Sequence, residues 1–477
     1  MEDPSVRTTA THTIRCANSH SVAALPSPFY LGPLDHLGSP IIPIGTVWVY
    51  ESSPTCPAPV PIARLNRAVA LLLDYYPQLT GRLTIDPQTG VRTITRFGTG
   101  ISAVEAICNT KLTAFRDAAT GDLSISNLPG SGVALLAPWN PTEEDAQQDP
   151  LLTFKHVRFA CGSVAIGVRL ARVMAGAGGF LQLYRNLAKI YNGLGQDETQ
   201  IVALEQKPHI IPFMVEEMSE GKSRADTASY QPRGYSVKSN VRTSDEAQVE
   251  TDLQAEALRV VGRELCFSSS ELAALKASAT PPDGTSWVST FSALSAHIWQ
   301  RTEIARHSLN SSAHPSSVFF TSVDFSSKLN LPPHFFPSSV VTPSLELSAT
   351  ELCTEPLWHV ARAIHGMTRS VDPDDVRSLA TWVAAQPQKQ LIRQNIPFGS
   401  NAVITTAWNK YSLYAGCGLE VEPTIVGVPF TPTNLVDGLA FFLQSKEDNG
   451  DIIVALALSE SVWEVLDRDA AFRHFKP

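Results

Sequence analysis

Hydrophobic and polar residues between 152 and 193 follow two periods in succession. Residues 163–172 alternate, with Val164, Ile166, Val168 and Leu170 on one face and Arg172 next on that face. A period of two predicts a half-buried strand. Small residues follow, Ala175-Gly176-Ala177-Gly178-Gly179, and then Phe180, Leu183, Leu187 and Ile190 recur at helical spacing. Asn192-Gly193 supplies a helix stop. The segment reads as strand, glycine turn and helix, with a cation ending the apolar face of the strand.

The same periods place the other elements. The apolar run from Ile41 to Tyr50 predicts a strand, and Ile62, Leu65, Val69 and Leu72 share a helix face. Asp86-Pro87-Gln88-Thr89-Gly90 has turn chemistry and is expected to join two hairpin strands. In the second half, Ser269 and Ser270 are expected caps of a helix Glu271–Ala277. Val288, Phe291, Leu294, Ile298 and Ala305 give a longer helix its core face. Val318–Val323, Val340–Leu347, Val403–Thr406 and Ile452–Leu458 read as strands, and 350–370 and 374–393 as helices. Residues 1–25 are expected to be poorly ordered. Residues 216–256 are polar and weakly periodic, which predicts a linker between an N-terminal domain (1–215) and a C-terminal domain (257–477).

Composition narrows the function. A chain of 477 residues exceeds one ordinary hydrophobic core, so two domains are expected. A net charge of −9 and a pI near 5.8 argue against nucleic acid as a partner. No run approaches the roughly 20 apolar residues of a membrane span, and no apolar leader follows the polar N-terminus. The seven cysteines are scattered without metal spacing, as in a reduced, cytoplasmic protein.

Specific segments then carry a resemblance. Leu31-Gly32-Pro33-Leu34-Asp35-His36 precedes the first long apolar run. Tyr76-Pro77-Gln78-Leu79-Thr80-Gly81-Arg82-Leu83 closes the first helix, and LSAHIW lies in the long helix of the second half. With the central strand–turn–helix, these resemble the BAHD acyltransferases, in particular the fungal, trichothecene-acetyltransferase-like branch. The resemblance spans about 28–470. It implies an α/β (α+β) fold like that of chloramphenicol acetyltransferase: two domains of mixed sheets flanked by helices, with a tunnel between them. It also implies a monomer acting on a small molecule.

The family's chemistry is altered at its centre. Where the family has HxxxDGxG, Arg172 stands at the histidine position and Gly176 at the aspartate position. Arginine stays protonated near neutral pH and cannot act as a general base. The arginine that partners that aspartate in the family is replaced by Ser326, within Asp324–Asn330. The DFGWG motif is reduced to Tyr414-Ala415-Gly416-Cys417-Gly418. Thr406-Ala407-Trp408 keeps the T-x-W pattern whose donors flank the family's oxyanion. The resemblance thus implies Arg172, Thr406 and Trp408 as catalytic positions and His36, Met174, Gly176 and Tyr414 as substrate-facing ones. A site that donates hydrogen bonds but lacks a base suits an intramolecular, Diels–Alder-like cyclisation of an apolar natural product, without a cofactor. The alternatives are an acyl-CoA-dependent O-acyltransferase with an atypical base, such as His36 or His156, and a non-catalytic relative.

Overall fold

The computed structural model describes residues 3–194, 203–219, 230–238, 259–282, 287–310, 314–395 and 401–473. Two six-stranded mixed sheets dominate it, with helices packed on them. The expected α/β (α+β) architecture is present.

The first sheet runs Val6–Ile14, Ile101–Cys108, Leu152–Phe159, Val164–Ala171, Pro43–Tyr50 and Ile425–Gly427. Its pairings are antiparallel except that between Ile101–Cys108 and Leu152–Phe159. Its last strand comes from the C-terminal half of the chain. The second sheet runs Val260–Phe267, Ile452–Ser459, Leu439–Gln444, Ala402–Ala407, Ser316–Thr321 and Ser344–Ser348. The strand Ala402–Ala407 pairs in parallel with both of its neighbours.

Several expectations need correction. Residues 6–14 are ordered as an edge strand paired along Ile101–Cys108. Their Thr-rich sequence is polar because an edge strand keeps much of its length in water. The central strand is covered on both faces. Val164, Ile166, Val168 and Leu170 join the core beneath the helices Ile62–Leu73 and Ala177–Gly193. Ala165, on the opposite face, packs with Val47, Val49, Leu135 and Leu136. A Cβ at Gly167 would stand 1.9 Å from the Leu135 carbonyl oxygen, so the covering segment lies directly on the strand.

In the second half, Ser268 caps the helix Ser269–Ser278, in a reciprocal box with Glu271. Ser269 and Ser270 lie inside the helix. The expected helix 350–370 is two, Ala349–Thr354 and Leu357–Arg369, parted at Pro356. The expected strand Val340–Leu347 is likewise two, Val340–Val341 and Ser344–Ser348. The helix expected over 374–393 ends at Ala385. Of the expected linker, 220–229 and 239–256 lie outside the described residues. Tyr235–Val237, within it, pairs with Ile392–Gln394. The Asp86–Gly90 turn joins Arg82–Ile85 to Arg92–Thr95 as expected, with Gly90 at φ +68°.

One core serves both sheets. Trp48, Phe180, Leu183 and Tyr184 from the first half share it with Trp408, Leu443, Ala455 and Ala457 from the second. The glycine turn and the helix after it sit at this junction.

Candidate functional site

The strand Val164–Ala171 ends immediately before Arg172, and the next three residues form a tight turn. Met174 N donates to the Ala171 carbonyl at 3.0 Å. Gly176 caps the helix Ala177–Gly193 in an extended conformation (φ −84°, ψ −179°). Any residue can adopt that backbone, and a Cβ there would have no neighbour nearer than 3.9 Å. Gly179 is different, because its Cβ would stand 2.1 Å from the Phe336 carbonyl oxygen. The turn is therefore pressed against the 336–340 segment of the second half.

Arg172 folds back over this turn. Its Nη1 donates to the Ala175 carbonyl at 2.9 Å and reaches Ser338 Oγ at 3.5 Å. No carboxylate lies within ion-pair distance of Arg172 among the described residues. Burial lowers its affinity for a proton, and nearby Asp35 partly restores it. An arginine so placed remains a cation.

Asp324 anchors a hydrogen-bonded link beside the turn. Asp324 Oδ1 accepts from Ser326 N at 2.8 Å and Ser339 Oγ at 3.0 Å, and Oδ2 accepts from the Tyr411 hydroxyl at 3.2 Å. The Tyr411 ring lies against Gly178, 3.2 Å from where a Cβ would stand. Neutral donors hold Asp324, and through it Tyr411, against the turn across the junction. Tyr411 and Ser338 carry no signal in the sequence that would have singled them out.

His36 and His156 are both buried and hydrogen-bonded to the backbone. His36 is buried, with Nδ1 against the Gly32 carbonyl and Nε2 accepting from Arg92 N, each at 2.9 Å. Burial and the Arg92 charge hold its pKa down at about 3. A neutral ring with both nitrogens engaged can neither take a proton nor hold a substrate. His156 Nε2 lies 2.9 Å from the Val60 carbonyl, and burial lowers its pKa as well.

The other expected positions divide. Trp408 is buried, with its ring centroid 5.8 Å from Phe441 and 6.4 Å from Phe180 of the glycine-turn helix. Thr406 lies opposite Phe441 in the parallel pair. Thr405, its neighbour, reaches Ser295 at 3.4 Å, so alternation turns Thr406 away from the helix Thr290–Leu309. Neither Thr406 nor Trp408 is a hydrogen-bond partner of Arg172. Met174 is 4% exposed and belongs to the core. Tyr414 stands apart: its hydroxyl accepts from Val426 N at 3.2 Å, and burial pushes its pKa up to about 12. The segment around it is structural. Tyr50 donates to the Cys417 carbonyl at 2.6 Å, and Arg185 to that of Ser412 at 3.0 Å.

Asp35 is the group that sequence alone does not single out. It lies in the LGPLDH segment, which in the chain reads only as a family landmark. The residue is 6% exposed, and Oδ2 accepts from Gly32 N at 2.9 Å. Oδ1 is buried without a hydrogen-bond partner among the described residues. Burial raises its pKa to about 7 against the opposing pull of the Gly32 amide, Arg172 and Arg92.

The comparisons set these observations among known proteins. The sequence model of the Transferase family matches residues 5–472. The chain is 24% identical over 405 residues to shikimate O-hydroxycinnamoyltransferase of Nicotiana tabacum, covering 83% of this chain and 84% of that protein. It is 24% identical over 355 residues to the O-acetyltransferase epaC of Aspergillus niger, covering 70% and 71%. Among solved structures, F. graminearum TRI101 complexed with coenzyme A and T-2 mycotoxin superposes with a TM-score of 0.68 at 19% identity, over 94% of this chain and 98% of that one. Vinorine synthase superposes at 0.66 and 16% identity, over 96% of each. These structural likenesses establish the fold. No described helix is long and apolar enough to cross a membrane.

Proposed function

The chain belongs to the Transferase family, and from that premise we propose that it transfers an acyl group from a coenzyme A thioester to a small-molecule acceptor. The observation that carries this reading is the family match over residues 5–472, which takes in both sheets and the junction between them. The relatives support it, since their names describe hydroxycinnamoyl and acetyl transfer, and one solved neighbour holds coenzyme A. The Aspergillus niger relative supports a fungal natural-product setting. Thr406 and Trp408 are the donors we assign to the oxyanion that forms as the thioester is attacked. Arg172 is the cation that steadies charge beside the turn.

The test is thioester turnover. Purified protein is given acetyl-CoA or a hydroxycinnamoyl-CoA with a panel of alcohols and amines, while released thiol and product mass are followed. Thiol release with an acceptor heavier by one acyl group is expected. No thiol release with any acceptor, and no binding of either thioester, would refute acyl transfer.

A second reading is favoured by one observation: a cation stands where a proton acceptor was expected, and His36 and His156 are both engaged elsewhere. Intramolecular cyclisation needs shape and a donor but no net proton removal. Its signature is a product of the substrate's own mass formed without thiol release. On that reading Arg172→Ala abolishes activity, and Arg172→His does not create acyl transfer.

A further inference from the structure

We propose that Asp35 is the proton acceptor that stands in for the absent histidine. The proposal rests on the acyl-transfer reading above and names a residue for it.

Three structural observations converge. The Asp35 carboxyl is fixed at one oxygen only, through the Gly32 amide, while its other oxygen has no protein donor among the described residues. Buried carboxylate oxygens are ordinarily paired, so one with no partner among the described residues calls for a role. Two guanidinium groups act on it without forming an ion pair. Arg92 directs Nη1 to the carbonyls of Asp35 (3.0 Å) and Gly38 (2.6 Å), and Arg172 directs Nη1 to Ala175 and Ser338. The carboxyl is therefore held in place and partly compensated, with Oδ1 unspent.

The electrostatics suit the task. Burial brings Asp35 to about 7, so the group carries or sheds a proton near neutral pH. General bases work best when their pKa lies close to the operating pH. The other charged groups nearby do not override this. His36 is neutral, and Lys389 acts on His36 rather than on Asp35. The helix Pro373–Ala385 packed beside the loop bears Asp374, Asp375 and Arg377, all exposed to water.

The chemical step balances without an outside reagent. The proton of the acceptor O–H passes to Oδ1, directly or through one bridging water. The acceptor oxygen meanwhile bonds to the thioester carbonyl carbon. The C–S bond then breaks, the departing thiolate takes the proton from Asp35, and the carboxylate is regenerated.

A plain alternative is that Asp35 only caps Gly32. Asp35→Asn separates the two roles, because the amide oxygen can accept the same backbone bond but cannot remove a proton. The experiment measures kcat and KM across acid and alkaline pH for wild type, D35N, D35E and R172A. It uses whichever of acetyl-CoA or hydroxycinnamoyl-CoA the wild type consumes, with an alcohol acceptor. D35N is expected to lose roughly 10²-fold or more in kcat, in the range of general-base effects, with little change in KM. Its acid limb disappears, while D35E keeps part of the rate. Arg172 favours the ionised carboxylate, so R172A moves the acid limb to higher pH. A D35N enzyme with wild-type kcat and pH profile overturns the inference and leaves acyl transfer standing. If D35N fails to fold, an unmoved acid limb in R172A overturns it equally. A wild type that consumes no thioester overturns the acyl-transfer reading and the inference together.

Discussion

Asp35 and His36 are neighbours that burial pushes in opposite senses: the acid is raised to about 7 and the imidazole lowered to about 3. The same loss of water disfavours the charged form of each. For Asp35 the sign follows directly. Its folded pKa lies above the free-acid value of 3.8, so between those values the folded chain binds more protons than the unfolded one. Stability contributed by this residue is therefore lost as pH rises from about 4 to 7, and it stays lost above. A neutral amide removes that loss while keeping the Gly32 bond. D35N is expected to be more stable than wild type at pH 8 by about 2–4 kcal/mol, since each tenfold change in proton affinity is worth about 1.4 kcal/mol. At pH 4 the two should be nearly equal. Urea unfolding at both pH values checks this, and an equal difference at both would show that burial does not hold the proton on Asp35. Such a cost at a site is common where function requires a strained charge state.

The strand–turn–helix element makes its own demand at two glycines. Gly179 lies against the Phe336 carbonyl at a distance no Cβ tolerates, and backbone cannot rotate away. Gly176 has ordinary φ and open space. G179A is expected to destabilise by on the order of 3 kcal/mol through overpacking. G176A should stay within about 1 kcal/mol and can be stabilising, since it restricts the unfolded chain. Thermal unfolding of both variants decides it, and equal effects would contradict the close contact at Gly179. The element itself was legible, because period two changes to helical spacing across a run of small residues. What covers it was not. Ala165 and Gly167 are buried by a segment some thirty residues earlier, and sequence spacing does not report such contacts. The edge strand Val6–Ile14 escaped for the opposite reason, since its outer face is wet and its alternation weak. At the site, Arg172 and Gly176 stand out in the sequence only through a resemblance to a family pattern. The Asp35 oxygen without a partner among the described residues and the Tyr411–Asp324 link exist only once the chain is folded.

Across the whole molecule, the two halves of the chain are interleaved. The strand Ile425–Gly427 crosses over to pair with Pro43–Tyr50, and Asn192 and Arg185 of the central helix bond carbonyls at Gly418 and Ser412. Trp408 inserts from the second sheet against Phe180, which in turn lies 6.1 Å from Trp48 of the first. A core shared in this way couples the stability of the two sheets, because unfolding either one exposes apolar surface on the other. Heating should therefore give one transition by far-ultraviolet dichroism and by tryptophan fluorescence, at the same midpoint. W408A should lower that midpoint without splitting it. Removing a buried indole costs about 3–5 kcal/mol, and here both sheets lose the contact. If wild type instead unfolds in two steps, or if W408A unfolds only the second sheet, the shared core is not the coupling that holds the site. If a single transition persists, the junction carrying Arg172, Asp324 and Tyr411 is as stable as the molecule itself. Loss of activity in variants at those positions can then be assigned to chemistry whenever their midpoints are unchanged.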